Sequence, residues 1–233
     1  MASPTEHFIG LRFEKVDKRY GVVYALRNLT LAIAPGECVA LAGRNGSGKT
    51  TLLRIASKLT RPTRGAVSFS GNTTTEKKEL RIGFVAHGAM VYDELTAQEN
   101  LLFFAKLLGV ANRKQLVDEL LREVGLAERA DSLVRTFSRG MRQRVAIARA
   151  LLAAPTLLLF DEPATGLDPE ATAWLTGHLR KLRDSGCTIV MSLHGESEVA
   201  RLATRAVRLD AGSVVADTRS GATFQSVFSF AAA

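Results

Sequence analysis

From Ile9 the side chains alternate apolar and polar through Leu11, Phe13 and Val16, the period of a strand with one buried face. Tyr20-Gly21 marks a turn, residues 25–33 alternate again as a second strand, and Pro35-Gly36 ends it. Cys38-Val39-Ala40-Leu41-Ala42 is apolar at every position, as in a strand covered on both faces. Leu52-Leu53-Arg54-Ile55-Ala56 then reads as a helix. A turn at 61–65 leads to a strand at 66–70, a polar surface loop at 71–78, and an apolar strand at 82–86 that ends at His87.

The period then changes to that of helices. Residues 96–108 carry Leu101, Leu102, Phe104, Ala105 and Leu108 at helical spacing, with Thr96 as N-cap and Glu99 at the capping-box position. A second helix spans 112–124 and stops at Gly125; a third, 142–153, is capped by Ser138 and stopped by Pro155. Three helices in a row predict a helical subdomain, about 88–153, inserted into an α/β core. Strand 156–160, helix 169–183 and strand 188–193 return to alternation of strand and helix, which implies a mixed, largely parallel sheet. A hairpin of 206–209 and 213–216 turns at Asp210-Ala211-Gly212, and 220–233 is low in charge and expected to be loosely attached. The fold class is α/β, one domain over 1–233 with an antiparallel β-subdomain at its start.

Between the third strand and its helix lies Gly43-Arg44-Asn45-Gly46-Ser47-Gly48-Lys49-Thr50-Thr51. Strand, glycine-rich turn and helix start are the context of a phosphate-binding loop. The glycines let backbone N–H groups converge on phosphate oxygens, and the helix dipole favours the negative charge. Lys49 is expected to reach the β- and γ-phosphates and the Thr50 hydroxyl to hold Mg²⁺. Leu157-Leu158-Leu159-Phe160-Asp161-Glu162-Pro163 delivers two carboxylates at the carboxyl end of an apolar strand, where open α/β sheets bind ligands. Asp161 suits Mg²⁺, partly through water, and Glu162 is placed to polarise a water for attack on the γ-phosphate. An acidic turn is the bland alternative for the pair; the loop upstream argues against it.

Composition narrows little further. A chain of 233 residues, 46% hydrophobic and 23% charged, suits one sizeable core. Cys38 and Cys187 sit in apolar runs without metal-ligand spacing, as small buried hydrophobes in a reducing compartment. No apolar run reaches the ~18 residues of a membrane span, and the first residues lack the pattern of a signal peptide. The net charge of +8 permits attraction to nucleic acid or to an anionic membrane face and does not choose between them.

With these segments assembled, the chain resembles the ATP-binding-cassette (ABC) ATPases along nearly its whole length. Ser138-Arg139-Gly140-Met141 resembles their LSGGQ signature, with Phe137 in place of the leucine, Arg139 of the first glycine and Met141 of the glutamine. The resemblance implies that this segment faces the γ-phosphate of ATP held by a second subunit. Gly166-Leu167-Asp168 resembles the D-loop that couples two sites across a dimer; Asp168 before Pro169 is also a good helix N-cap, and both readings hold together. His194 resembles the switch histidine at the γ-phosphate, and Tyr20 the aromatic that stacks on adenine. One departure is His87, which stands where the family has the Q-loop glutamine; an imidazole there can accept from a Mg²⁺-bound water and brings pH sensitivity.

The family implies ATP and Mg²⁺, a homodimer with two ATPs sandwiched, and a separate integral membrane subunit docked near 87–109. It implies a peripheral place on the cytoplasmic face of the cell membrane and no nucleic acid. His87, Leu95-Thr96-Ala97-Gln98-Glu99-Asn100-Leu101 and Phe137-Ser138-Arg139-Gly140-Met141 look most like the ATP-binding subunit of the haem exporter of cytochrome c maturation. Other exporters of the branch, for drug, ion or lipid-linked cargo, share FSRGM-type signatures. A soluble ABC ATPase acting on DNA or ribosomes usually adds a second cassette or a long coiled coil, which this sequence lacks. A small-molecule kinase would leave 138–141 and Asp168 unexplained.

Overall fold

The computed structural model describes residues 9–71, 80–86, 88–193 and 199–229. Strands β1 (Ile9–Tyr20), β2 (Val23–Ile33) and β4 (Arg64–Gly71) form one antiparallel sheet with β1 in the middle. Leu11, Phe13 and Val16 of β1 and Leu26, Leu29, Leu31 and Ile33 of β2 are buried on its inner face. β1 runs past Val16 to Tyr20 because a register shift after Phe13, with Lys15 at a φ of +47°, breaks the alternation without ending the strand.

The second sheet places β5 (Ile82–Val85), β6 (Leu157–Asp161), β7 (Thr188–Ser192), β3 (Cys38–Ala42) and β8 (Arg205–Asp210) side by side and parallel, with β9 (Ser213–Asp217) antiparallel at the edge. Its central strands are covered on both faces. Cys38, Ala40, Leu158, Phe160, Ile189 and Met191 join one hydrophobic cluster, while Val39, Leu41, Leu157, Leu159 and Val190 join the other. That second cluster also takes the inner face of the antiparallel sheet and Leu52, Leu53 and Ile55 of α1 (Lys49–Ala56). The continuous apolar runs seen in the sequence are the signature of this double coverage.

Between β5 and β6 the chain forms α2 (Ala97–Leu107), α3 (Arg113–Glu123) and α4 (Arg139–Leu151). The Thr96–Glu99 capping box is formed in both directions, at 3.1 and 2.8 Å. Buried Asn100 accepts from Tyr92 N–H at 2.7 Å and donates to the carbonyls of Tyr92 and Thr96, which shapes the approach to α2. Arg149 of α4 donates to the carbonyls of Phe84 at 2.9 Å and Met90 at 3.1 Å, fastening α4 to the chain that leaves β5.

After β6 comes α5 (Pro169–Asp184), and after β9 a short α6 (Phe224–Phe228). Beside them, Arg205 is almost wholly buried and forked onto both carboxylate oxygens of Asp217, with its Nη1 3.3 Å from Glu37. Burial works against that guanidinium, but Asp217 and Glu37 outweigh it, and the Arg205 fork holds the Asp217 carboxyl below its ordinary value. The described part of the expected loose tail, up to Ser229, is attached. Val227 is fully buried, Phe228 nearly so, and Arg208 donates to the carbonyls of Ser226 and Ser229. Val227 and Phe228, too few to show a helical period in a five-residue helix, dock α6 together with Arg208.

Candidate functional site

The parallel sheet brings three strand ends together. Leu41 of β3 lies opposite Ser192 of β7, and Ser192 lies opposite Asp161 of β6. The loop 43–51 leaves β3 here and enters α1 at Lys49. Gly48 has a φ of +108°, and a Cβ on it would stand 2.6 Å from the Ala25 carbonyl oxygen and 2.8 Å from Leu26 Cδ2. Only glycine lets the loop lie flush on β2. Gly212, at the β8–β9 turn, donates to the Ser47 carbonyl at 3.1 Å and accepts from Arg27 N–H at 3.0 Å, so both sheets brace the loop.

Within the loop Lys49 is buried, with Nζ 2.6 Å from the Gly43 carbonyl and 3.1 Å from that of Arg44. Burial lowers its pKa, and the negative charges of Glu162 and Asp161 partly oppose this. Thr50 Oγ1 donates to Asp161 Oδ1 at 3.1 Å. Ser192 Oγ donates to the same oxygen at 2.7 Å and accepts from Glu162 N–H at 3.0 Å. Glu162 holds a φ of +60°, rare for a residue with a side chain, and its Oε2 accepts from Thr165 Oγ1 at 3.3 Å.

A cavity of about 670 Å³ opens over these groups. Tyr20, Val23, Tyr24 and Ala25 line it, with 45–51, Arg54, Ala86, Gly88, Asp161 and Glu162. Its volume is in the range of small-molecule and cofactor sites. Tyr20 is half exposed with Lys18 Nζ 5.0 Å from its ring centroid, and Tyr24 is flanked by the guanidinium groups of Arg19 and Arg27. The loop fits a polyphosphate on two observations. Lys49 is a buried cation that donates to loop carbonyls, and Ser47 Oγ is buried with no hydrogen-bond partner among the described residues.

The residues named from the sequence therefore fall into two groups. Tyr20, Asn45, Gly46, Ser47, Gly48, Lys49, Thr50, Thr51, Asp161 and Glu162 share the cavity, while Gly43 and Arg44 hold Lys49 from behind. Ser138, Arg139, Gly140, Met141 and Asp168 do not line it. Ser138 caps α4, accepting from Met141 N–H at 3.2 Å, and Asp168 caps α5, accepting from Ala171 N–H at 2.7 Å. The two caps are interlocked: a Cβ on Gly140 would stand 2.8 Å from the Gly166 carbonyl, and Arg144 reaches Asp168 at 3.1 Å. The bond from Ala171, and then Arg144, keep the Asp168 carboxyl below its ordinary value. His87 and His194 lie outside the described residues.

Sequence reasoning passed over Ser192 as a functional group, and over Thr165, Tyr24 and Arg54. Ser192 was visible as a polar residue ending an apolar strand. Its place beside Asp161 depends on β7 lying next to β6 in the sheet, which no local pattern encodes.

Comparison with known proteins bears on this geometry. The family model described as ABC transporter matches residues 26–165. The chain is 36% identical over 212 residues to Nod factor export ATP-binding protein I of Cupriavidus metallidurans, covering 89% of this chain and 70% of that protein. It is 37% identical over 201 residues to ABC transporter ATP-binding protein NatA of Bacillus subtilis, covering 83% and 81%. It is 38% identical over 206 residues to daunorubicin resistance ATP-binding protein DrrA3 of Streptomyces coeruleorubidus, covering 86% and 65%. Among solved structures, the dimeric post-hydrolysis state of the ATP-binding cassette MJ0796 bound to ADP and Pi superposes with a TM-score of 0.81 at 32% identity, over 89% of this chain and 97% of that one.

Proposed function

Because the chain belongs to the ABC transporter family, as its ATP-binding domain and an ATPase, we propose that it is the motor subunit of an exporter and works as a head-to-tail dimer. The observation that carries this is the meeting of Lys49, Thr50, Asp161 and Glu162 at one cavity while Ser138 and Asp168 sit outside it. In this reading such a site holds the triphosphate through 43–51, and the Ser138 segment serves the nucleotide of a second copy.

In this reading Tyr20 stacks on adenine, 43–51 wraps the phosphates, and Lys49 moves its donors from loop carbonyls to the β- and γ-phosphates. Thr50 and Asp161, with His87, are the residues suited to hold Mg²⁺. Bound there, the ion would neutralise charge on the β- and γ-phosphate oxygens. Glu162 accepts a proton from water as the water oxygen attacks Pγ; the bond from Pγ to the β–γ bridging oxygen breaks, leaving ADP and inorganic phosphate. His194 and, from the second copy, 138–141 contact the γ-phosphate. Asp168, braced by Arg144, passes the state of one site to the other. ATP closes the dimer and hydrolysis reopens it, a ligand-driven population shift.

The chain is one domain in which 88–153 forms a helical subdomain that meets the membrane partner. Exposed Tyr92, Phe103, Leu107 and Leu108 support a contact of this kind there. No helix among the described residues is long and apolar enough to cross a membrane; the reading puts the motor at the cytoplasmic face, held there by an integral subunit. The cargo we propose is haem for cytochrome c maturation, on the strength of His87 and the Phe137–Met141 signature. A second reading is another exporter of the same branch, for a drug, an ion or a lipid-linked substrate, and the relatives named for Nod factor export and daunorubicin resistance favour it over haem.

The test is purification of the chain from membranes with whatever integral protein accompanies it. ATPase activity of that complex, stimulated by haem and accompanied by haem absorbance, is the expected result. Stimulation by another amphiphile alone selects the second reading. Recovery with nucleic acid in a salt-dependent manner would defeat both.

A further inference from the structure

The hydroxyl of Ser192 touches both carboxylate residues of the site. It is fully buried at the end of β7, donates to Asp161 Oδ1 at 2.7 Å and accepts from the backbone N–H of Glu162 at 3.0 Å. Its register opposite Asp161 is set by the parallel ladder between β6 and β7. Thr50 donates to the same Asp161 oxygen from the other side, at 3.1 Å. The Asp161 carboxylate is thus fixed between a hydroxyl from the phosphate-loop helix and one from β7.

At Glu162 the demand is on the backbone. A φ of +60° costs a residue with a side chain free energy, and such a conformation persists where neighbouring bonds over-determine it. The N–H of Glu162 is one of the groups that must be anchored for this, and Ser192 Oγ anchors it. One oxygen atom accordingly performs two tasks, as a donor to Asp161 and as an acceptor for Glu162.

We infer that Ser192 is a positioning residue for hydrolysis, whose single hydroxyl sets the direction of the Asp161 carboxylate and the left-handed backbone of Glu162 together. The inference rests on the roles of Asp161 and Glu162 given above. Alanine at 192 leaves the Glu162 N–H without its acceptor and Asp161 with one donor fewer, while the phosphate loop keeps its own contacts. ATP should therefore still bind, and turnover should suffer.

The test compares Ser192→Ala, Ser192→Thr, Ser192→Cys and Glu162→Gln for thermal melting, ATP binding by calorimetry without Mg²⁺, and steady-state kinetics. Ser192→Ala is expected to lose about tenfold in kcat, the worth of one buried hydrogen bond, with KM and ATP affinity within about twofold. Ser192→Thr keeps the hydroxyl and is expected to restore kcat; Ser192→Cys, a weaker donor of similar shape, should fall between. Combined with Glu162→Gln, Ser192→Ala should cost little more, because both act on one step. Wild-type kcat in Ser192→Ala or Ser192→Cys, a lower melting temperature as the sole change, or failure of Ser192→Thr to rescue a folded protein overturns the inference. If Glu162→Gln itself keeps full turnover, the assignment of Glu162 has failed. If Glu162→Gln is inactive while Ser192→Ala is normal, only the role of Ser192 has failed.

Discussion

Lys49 donates from Nζ to the carbonyl oxygen of Gly43 at 2.6 Å, so the loop binds its own cation before any ligand arrives. The ammonium is largely desolvated, which lowers its pKa below the 10.5 of a free lysine. A bound triphosphate adds negative charge beside it and reverses that shift.

Two outcomes follow for this residue. Lys49→Ala should abolish ATP turnover and the rise in melting temperature that ATP gives the wild type. In the wild type the folded pKa lies below the unfolded one, so the unfolded chain binds more protons in the window between them and burial of the charge costs most below that window. Triphosphate raises the pKa again. ATP binding in the alkaline range should therefore draw a proton from solvent, seen as a dependence of calorimetric heat on buffer ionisation enthalpy. Equal heats in all buffers would contradict it.

Replacing Glu162 by Gln keeps the shape of the side chain and removes the proton acceptor. ATP should bind with unchanged affinity, hydrolysis should fall by roughly 10²–10⁴-fold, and the protein should elute as a dimer in ATP. A monomer on size-exclusion chromatography, with or without the membrane partner, would count against the shared site.

The ion cluster around Arg205 predicts a dependence on acid. Asp217 is held below its ordinary value of 3.8, chiefly by the Arg205 fork, so its contribution is complete above that value and is lost as pH falls through the lowered one. Asp217→Asn should cost about 3 kcal/mol near neutral pH, because Arg205 stays buried with only part of its partnership. The gap in melting temperature between variant and wild type should close as pH drops below 3.8.

His87→Gln restores the residue usual in the family. ATP hydrolysis should remain largely intact, measured as steady-state turnover beside the wild type. A complete loss of activity would give the imidazole a part in the chemistry itself.

Much of this was readable in the chain. The strands β3, β6 and β7 showed as unbroken apolar runs because both of their faces are covered, and the caps Thr96, Ser138 and Asp168 make the bonds their positions suggest. The phosphate loop is local, so its nine residues announce it. What stayed hidden is long-range. Ser192 meets Asp161 through sheet order, and Tyr24 joins Tyr20 at the cavity only because a bulged β1 pairs with β2 up to the turn. Helix α6 is held by Val227, Phe228 and the Arg208 guanidinium, and two apolar side chains are fewer than a period needs to be seen.

Glycine at position 162 would relieve the positive φ that Glu162 sustains, a gain of roughly 1 kcal/mol or more. A screen that rewarded heat resistance alone would drift toward glycine there and deliver a sturdier protein without its base. Durability and turnover are opposed at a single dihedral angle.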